Sequence, residues 1–416
     1  MKHAHYSYTV GGSLAVDDPT YVRRPADDVL YQAIEQGYFC YVLGPRQTGK
    51  SSLRIKTRHR LEQSGCRCAT VQVTEMSLAA ASWDKQLISL IWDSLYPTEA
   101  IALSKWLEAT ATLSTQRRLE HFTRDLLFPE LLLQPLVIFI DEIDYLLEVP
   151  EAIRNLLIWI EKCYSLRDKH GEYQPLSFVL LGATTVSALV DKATIPLDEH
   201  SCDVDLIAGN AAIERLFSVV EQLARHIPLS SFKLHSLRPL QPGFASRFSS
   251  PVAALKVILS WTNGQPFLTQ KLCQIVTTRA QLLSAAAVKK ISATPAKLSR
   301  WIGQVVYSSL IDNWATADDP VHLRAIRDRL HHSPHHLALL QLYKRVSAGM
   351  SIKCSGNSLQ SELLSIGLVC CDRQHIRPAN KIYQQTVVSS SLKRPLQISA
   401  QGHSLPAKRS AASASQ

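Results

Sequence analysis

A complete phosphate-binding loop stands near the start of the chain. Residues 44–51 read Gly-Pro-Arg-Gln-Thr-Gly-Lys-Ser, which is the pattern G-x-x-x-x-G-K-[ST]. In such a loop, backbone N–H groups surround an anion, the lysine contacts the β- and γ-phosphates, and the last hydroxyl binds Mg²⁺. We therefore predict that Lys50 acts on phosphate in binding and catalysis, and that Ser51 is a metal ligand. The predicted nucleotide-binding set is Gly44, Pro45, Arg46, Gln47, Thr48, Gly49, Lys50, Ser51 and Ser52.

An acidic pair supplies the second half of a hydrolytic site. Asp141 and Glu142 follow the apolar run 136–140, about ninety residues beyond the loop. The first acid at the end of such a strand holds the metal beside the loop hydroxyl. The second acid can accept a proton from the attacking water, a role worth roughly 10²–10⁴-fold in rate. We predict that Asp141 binds Mg²⁺ together with Ser51, and that Glu142 is the general base.

Two threonines follow a third apolar run. Residues 177–181 lead through Gly182 and Ala183 into Thr184 and Thr185. A hydroxyl at this strand end can sense the γ-phosphate, and we assign that catalytic role to Thr185, with Thr184 as its neighbour candidate. The alternative is a threonine that only shapes a turn.

These residues need a sheet and a helix to position them. The apolar run 39–43 predicts a strand that leads into the loop, and a helix starting near Ser51 would present its N-terminus to the phosphates. Further strands are predicted at 69–73, 136–140 and 177–181, with helical patterns between them. This alternation predicts an α/β fold of the P-loop NTPase type, a parallel sheet with helices on both faces.

The rest of the chain is predicted to be mostly helical. Residues 200–232 fit the alternation poorly, and 211–223 are predicted as one extra helix. The periodicity of residues 251–306 is almost wholly helical, which predicts a small helical domain. Three helices and a strand pair then follow in the order of a winged helix. The predicted domains are an N-terminal extension (1–20), the nucleotide-binding domain (21–240), the helical lid (241–318), the winged helix (319–388) and a disordered basic tail (389–416).

The charge and cysteine patterns restrict the function class. The net charge is +10, and residues 321–416 hold 13 basic and 3 acidic side chains, so the excess lies there. Such an end attracts polyanions or acidic protein faces, unless it is simply a solvated surface. Nine scattered cysteines predict buried or free thiols rather than a disulfide framework. Without an apolar leader or a span of membrane length, we expect a cytoplasmic protein with no membrane partner.

Taken together, these motifs resemble the cyanobacterial AAA-like domain of the STAND class of signalling ATPases. The resemblance runs from Tyr8 to Tyr383, and its most specific part is Gly264-Gln265-Pro266-Phe267-Leu268 with the residues that follow. It implies an AAA-type core, a helical lid, and a winged helix that packs back on the nucleotide. It also implies that the segment at Tyr21 borders the adenine and that Pro266 holds the nucleotide from the other side.

The resemblance implies a signalling switch that binds ATP with Mg²⁺. No arginine finger can be assigned, so we expect slow hydrolysis unless a partner supplies one. The expected partners are a separate protein effector or sensor, or further copies of the chain in a nucleotide-dependent oligomer. The alternative is a DNA-binding AAA+ regulator that reads DNA through Arg373, Arg377 and Lys381 of the winged helix. A scaffold that holds nucleotide without hydrolysing it is the third hypothesis.

Overall fold

The computed structural model of the chain describes residues 6–76, 82–131, 134–196, 204–218, 223–312 and 314–391. The tail predicted to be disordered therefore lies outside the described residues from position 392 onward. Its first three positions, 389–391, belong to the last helix.

A five-stranded parallel sheet forms the centre of the first half of the chain. Its strands are β1 (Phe39–Leu43), β2 (Arg67–Gln72), β3 (Leu136–Asp141), β4 (Leu176–Gly182) and β5 (Ala224–His226), in the spatial order β2-β3-β4-β1-β5. Each neighbouring pair is parallel. Every residue of β3 and β4 is buried, because helices cover both faces of the sheet. The predicted fold class is confirmed.

Nine helices of the described chain surround this sheet. They are α1 (Pro25–Glu35), α2 (Lys50–Gln63), α3 (Trp83–Leu95), α4 (Ala100–Ala109), α5 (Thr115–Phe122), α6 (Phe128–Leu131), α7 (Pro150–Ser165), α8 (Val186–Ala193) and α9 (Val204–Phe217). The prediction of a helix at 211–223 was wrong at its end. Helix α9 ends at Phe217, and the chain then forms the edge strand β5, which is too short to show an apolar period.

The second half of the chain starts with the lid helices, which begin with strong local signals. Four of them have proline in the first turn, where its missing N–H costs nothing. Ser250 and Thr294 cap two of these helices, each accepting a backbone N–H. The lid helices are α10 (Pro242–Ala245), α11 (Pro251–Thr262), α12 (Pro266–Gln281), α13 (Ala285–Ser292) and α14 (Pro295–Val306).

The C-terminal unit, residues 314–391, contains the three predicted helices and the predicted strand pair with further elements beside them, and its assignment as a winged helix stays a prediction. It contains α15 (Trp314–Ala317), α16 (Leu323–His332), α17 (His336–Ser347), β6 (Ile352–Lys353), α18 (Ser358–Ile366), β7 (Val369–Asp372), β8 (His375–Pro378) and α19 (Lys381–Ser391). The second strand of the pair, β8, ends at Pro378, and a helix follows. None of the helices in the described part of the chain has the length and apolarity that a bilayer crossing requires.

A single hydrophobic core joins the lid helices, the C-terminal unit and the N-terminal segment. Tyr8, Phe244, Ile302, Leu339 and Ile376 come from these three regions and belong to one cluster of buried side chains. The two faces of the parallel sheet have cores of their own. The core of the second half is therefore continuous across the predicted domain boundary at residue 318.

One cysteine pair differs from the expectation of free thiols. Cys354 and Cys371 form a disulfide, with their Cα atoms 6.4 Å apart. The residues are 17 positions apart in sequence, a spacing that carries no signal of its own. The antiparallel sheet of the C-terminal unit brings them together, because Cys354 N–H bonds to Gln374 in the turn beside β7.

The turn between α11 and α12 has no room for a side chain at Gly264. Its φ is +74°, and an added Cβ would lie 2.1 Å from the Phe232 carbonyl oxygen. We predict that Gly264→Ala lowers the free energy of unfolding by well over the roughly 1–2 kcal/mol that the backbone conformation alone costs. Gly65→Ala is the matched control, because Gly65 has φ +91° with nothing within 4 Å of an added Cβ. Denaturant titration of both variants measures the difference, and equal losses would contradict the steric argument.

Candidate functional site

The predicted phosphate loop connects β1 to α2. β1 ends at Leu43 and α2 begins at Lys50, so the loop residues stand at a helix N-terminus. Gly49 precedes the helix with φ 87°, a left-handed conformation that glycine adopts without strain. The loop thus connects a strand to a helix N-terminus, the position at which an anion would bind.

The Lys50 ammonium group is buried inside this loop. The residue is 9% exposed, and its Nζ donates to the carbonyl oxygens of Gly44 at 2.8 Å and Pro45 at 2.7 Å. Burial lowers the pKa of Lys50 to about 8, while the nearby carboxylates of Asp144 and Asp141 act in the opposite direction. The loop thus holds a desolvated cation on two neutral acceptors, and phosphate oxygens would be stronger partners.

Asp141 ends β3 and is already paired. Its Oδ2 accepts a hydrogen bond from Arg54 Nε at 3.0 Å, and both side chains are buried. Its Oδ1 accepts the backbone N–H of Glu142 at 3.0 Å. Arg54 lies on α2 and had no signal in the sequence beyond the basic character of that helix. The predicted metal ligand is therefore oriented by a buried arginine.

Glu142 has a strained backbone and a hydrogen-bonded carboxylate. Its φ is +63°, which costs a residue other than glycine roughly 1–3 kcal/mol. Thr74, just beyond β2, donates its hydroxyl to Glu142 Oε2 at 2.5 Å. The predicted base is therefore held toward β2 in this structure.

Most of the predicted phosphate and metal residues line one cavity of about 260 Å³. Gly12 and Ser13 of the N-terminal segment also line it, although the sequence placed them in an extension outside the nucleotide-binding domain. Their neighbour Leu14 donates its N–H to Ser52 Oγ at 3.0 Å. The predicted residues that line this phosphate cavity are Arg46, Gln47, Gly49, Lys50, Ser51, Ser52, Asp141 and Glu142.

A narrow cavity of about 80 Å³ adjoins the phosphate cavity. Tyr21 and Pro266 line it, and it shares Gln47, Gly49 and Ser52 with the phosphate cavity. The Tyr21 hydroxyl donates to Asp27 Oδ1 at 2.5 Å, and burial raises the pKa of Tyr21. Together the two cavities come to the lower end of the range for small-molecule sites. The structure thus places Tyr21 and Pro266, the two residues that the family resemblance assigns to the adenine, beside the phosphate loop.

The remaining predicted residues face a wide cleft of about 880 Å³ between the sheet and the C-terminal unit. Gly44, Pro45 and Thr48 line the cleft, and so does Thr185. Thr185 Oγ1 accepts the N–H of Ala188 at 3.2 Å, which makes it the N-cap of α8. It does not line the phosphate cavity, and its catalytic role stays a prediction.

Further polar residues tie the loop to its surroundings. Asp144 accepts the N–H of Ala183 at 2.7 Å and pairs with Arg46 at 3.2 Å. Arg329 of α16 donates to the carbonyl oxygen of Ala183 at 2.8 Å, and burial lowers the pKa of Arg329. Asp144 lies three residues beyond Asp141 in the sequence. Arg329 had no local motif and is found only through the fold.

The lid and the C-terminal unit both contact the phosphate loop at Gln47. Gln265 Nε2 donates to the Gln47 carbonyl oxygen at 3.1 Å. The Gln47 side chain donates its own Nε2 to the carbonyl oxygen of Val321 at 3.2 Å. One loop residue is therefore held from two sides by the second half of the chain.

Comparison with known proteins agrees with this architecture. The AAA-like domain family matches residues 9–201. An uncharacterized WD repeat-containing protein of Synechocystis sp. (strain ATCC 27184 / PCC 6803 / Kazusa) is 33% identical over 380 residues. These residues make up 91% of this chain but 30% of the relative, so the chain spans less than a third of that protein. The matches support an AAA-like P-loop fold of the ATPase type, which in turn supports nucleotide binding.

Solved structures with a similar fold have low sequence identity to this chain. The Walker-type ATPase PABY2304 of Pyrococcus abyssi is 12% identical with a TM-score of 0.48, covering 92% of this chain and 99% of its own. The ORC2 protein of Aeropyrum pernix is 14% identical with a TM-score of 0.46, with the same coverages. At these scores the fold assignment rests on the sheet order and the loop geometry of the chain itself.

The Arg54–Asp141 pair should be essential for stability. We predict that Arg54→Met lowers the free energy of unfolding by about 3–5 kcal/mol, because it leaves a buried carboxylate without its cation. Arg58→Met, one turn later on α2, removes a partly exposed pair with Glu62 and should cost less than about 1 kcal/mol. Denaturant titration compares the two variants. Similar small losses in both would show that Arg54 does not neutralise Asp141.

Proposed function

We propose that this protein binds ATP with Mg²⁺ and hydrolyses it slowly, as a switch whose nucleotide state controls assembly or partner binding. The observation that carries the proposal is a pair of hydrogen bonds that hold the phosphate loop. Gln265 from the lid and Val321 from the C-terminal unit both bond to Gln47, between Gly44 and Lys50. A phosphate that binds in this loop would therefore affect the hydrogen bonds that connect the loop to the second half of the chain.

The chemistry of the phosphate cavity fits a magnesium nucleotide. Ser51 and Asp141 offer a hydroxyl and a carboxylate, the hard oxygen ligands that Mg²⁺ takes beside phosphates. We assign the metal to these two residues; when bound, Mg²⁺ neutralises charge that develops on the phosphate oxygens. Lys50 would exchange its two carbonyl acceptors for phosphate oxygens. Glu142 would leave Thr74 and take a proton from the attacking water.

The contacts between the two halves of the chain favour switching. Arg329 joins the C-terminal unit to Ala183, which directly follows β4 and lines the phosphate cavity. The contacts named so far at this junction, through Gln47, Gln265 and Arg329, are single hydrogen bonds. Each is worth only about 0.5–1.5 kcal/mol net. A bound nucleotide can therefore shift the balance between a closed and an open arrangement.

The partners of such a switch stay a proposal. The Synechocystis relative is described as containing WD repeats, and this chain matches 30% of it. A nucleotide unit next to repeat modules accords with a role in controlling protein assembly. An effector or sensor protein, or further copies of this chain, would read the nucleotide state. Size measurement with ADP and with ATP distinguishes a switch from a static scaffold.

DNA binding through the C-terminal unit is the weaker hypothesis. Arg377 pairs with Asp372 at 3.4 Å, and Lys381 Nζ lies 5.9 Å from the centre of the Trp261 ring in the lid. Two of the three predicted basic residues thus have partners inside the protein. Arg373 is exposed in the turn between β7 and β8. A salt-dependent affinity for duplex DNA that is lost when these three basic residues are neutralised would support this hypothesis.

The proposed roles in the phosphate cavity make a paired prediction. Lys50→Ala should reduce ATP affinity at least about 100-fold, because it removes the buried cation that contacts phosphate. Glu142→Gln should keep ATP binding but lower the hydrolysis rate roughly 10²-fold or more. Calorimetric titration and phosphate release measure the two effects. Unchanged ATP affinity in the Lys50 variant would refute the proposed site.

The Arg329 contact makes a prediction about nucleotide exchange. Arg329→Met should increase the dissociation rate of bound ADP about 3- to 10-fold, because one interdomain hydrogen bond is lost. Arg327→Met is the matched control on α16, since Arg327 pairs with its neighbour Asp328. Stopped-flow release of a fluorescent ADP analogue gives both rates. If both variants release ADP at the wild-type rate, Arg329 does not hold the closed arrangement.

A further inference from the structure

A buried amide in the narrow cavity has one end without a partner. Gln270 of α12 is 5% exposed and lines this cavity. Its Nε2 donates to the carbonyl oxygen of Thr20 at 3.1 Å and to Thr20 Oγ1 at 3.2 Å. Because a carbonyl oxygen only accepts, this contact fixes which end of the amide faces Thr20. The other end, Oε1, is buried with no hydrogen-bond partner among the described residues.

A buried acceptor without a donor is rare in folded proteins and needs an explanation. Gln270 Oε1 cannot turn to Thr20 without placing two acceptors together. The amide is therefore held so that its oxygen is left for something else. A ligand that donates a hydrogen bond inside the cavity would complete its bonding.

The position of the cavity indicates what that ligand is. It shares Gln47, Gly49 and Ser52 with the phosphate cavity, so a nucleotide with its phosphates at Lys50 would extend its ribose and base to this side. The other walls are largely apolar and suit a planar ring; they include Tyr21, Val22, Phe232, Pro266 and Phe267. This step rests on the proposed nucleotide binding.

We propose that Gln270 Oε1 accepts a hydrogen bond from the exocyclic amino group of adenine and makes Gln270 a determinant of base specificity. The amino group at C6 is the hydrogen-bond donor of the adenine ring, and the ring nitrogens at its edges accept. Arg24 lines the same cavity, and its buried Nε–H has no partner among the residues that the structure describes. Adenine thus offers a donor for Gln270 and acceptors for Arg24.

The test removes the amino group without adding bulk. Purine riboside triphosphate carries hydrogen at C6 and is otherwise identical to ATP. We expect the wild-type protein with Mg²⁺ to bind ATP about tenfold or more tightly than this analogue, measured by calorimetry. Gln270→Met, which keeps the length of the side chain but removes the acceptor, should bind both nucleotides with similar affinity.

Gln274→Met is the matched control, one turn further along α12. Gln274 Nε2 also holds the N-terminal segment, at the Tyr8 carbonyl oxygen and 3.3 Å, but the residue does not line the cavity. This variant should keep the wild-type preference for ATP. The preference is a ratio within each variant, so a uniform loss of affinity does not disturb it.

The outcomes separate the inference from the proposed function. Equal affinity of the wild-type protein for ATP and the analogue would overturn the role of Gln270 and leave nucleotide binding in place. Loss of the preference in Gln274→Met as well would also overturn it, because anchoring of the N-terminal segment would then be the cause. Failure of the wild-type protein to bind ATP at all would instead remove the proposed function.

Discussion

The burial of one positive charge organises the candidate site. The Lys50 ammonium is taken out of water and held by loop carbonyls, an arrangement that is costly unless charge or hydrogen bonds compensate it. The nearby carboxylates Asp141 and Asp144 are only partly free to do so, because each pairs with an arginine. Around the loop, cations therefore exceed carboxylates, with Arg46, Lys50, Arg54 and Arg329 against Asp141, Glu142 and Asp144. A bound polyphosphate would supply the missing negative charge.

The narrow cavity lies where the chain passes between the core of the second half and a core of the parallel sheet. Val22 belongs to the core of the lid and the C-terminal unit, whereas Ala26 belongs to a core of the parallel sheet. The chain crosses again between Leu229, which packs on the sheet core, and Phe232, which is in the lid core. Val22 and Phe232, one from each crossing, line the cavity assigned to the base. A base bound there would contact both connections between the two halves.

Local patterns predicted the parts of the site that depend on one stretch of chain. The loop and the acidic pair were predictable because an apolar run, a turn and a helix start lie together in sequence. Arg54, Thr74, Gln270 and Arg329 could not be assigned, since their roles depend on partners that are distant in sequence. The short strand β5 and the Cys354–Cys371 disulfide were missed for the same reason. Neither has a period or a spacing that local rules can detect.

The geometry around Glu142 accords with the slow hydrolysis that we propose. The residue must leave the hydroxyl of Thr74 before it can act on water, and its backbone is already strained in the present conformation. The partly buried Arg329 of the C-terminal unit contacts the carbonyl oxygen of Ala183, a residue that lines the phosphate cavity. Releasing Arg329 requires a change at the junction between the two halves, whereas Glu142 has to leave Thr74 within the first half. Coupling hydrolysis to that change would keep the nucleotide state long enough for a partner to read it, which is what a switch requires.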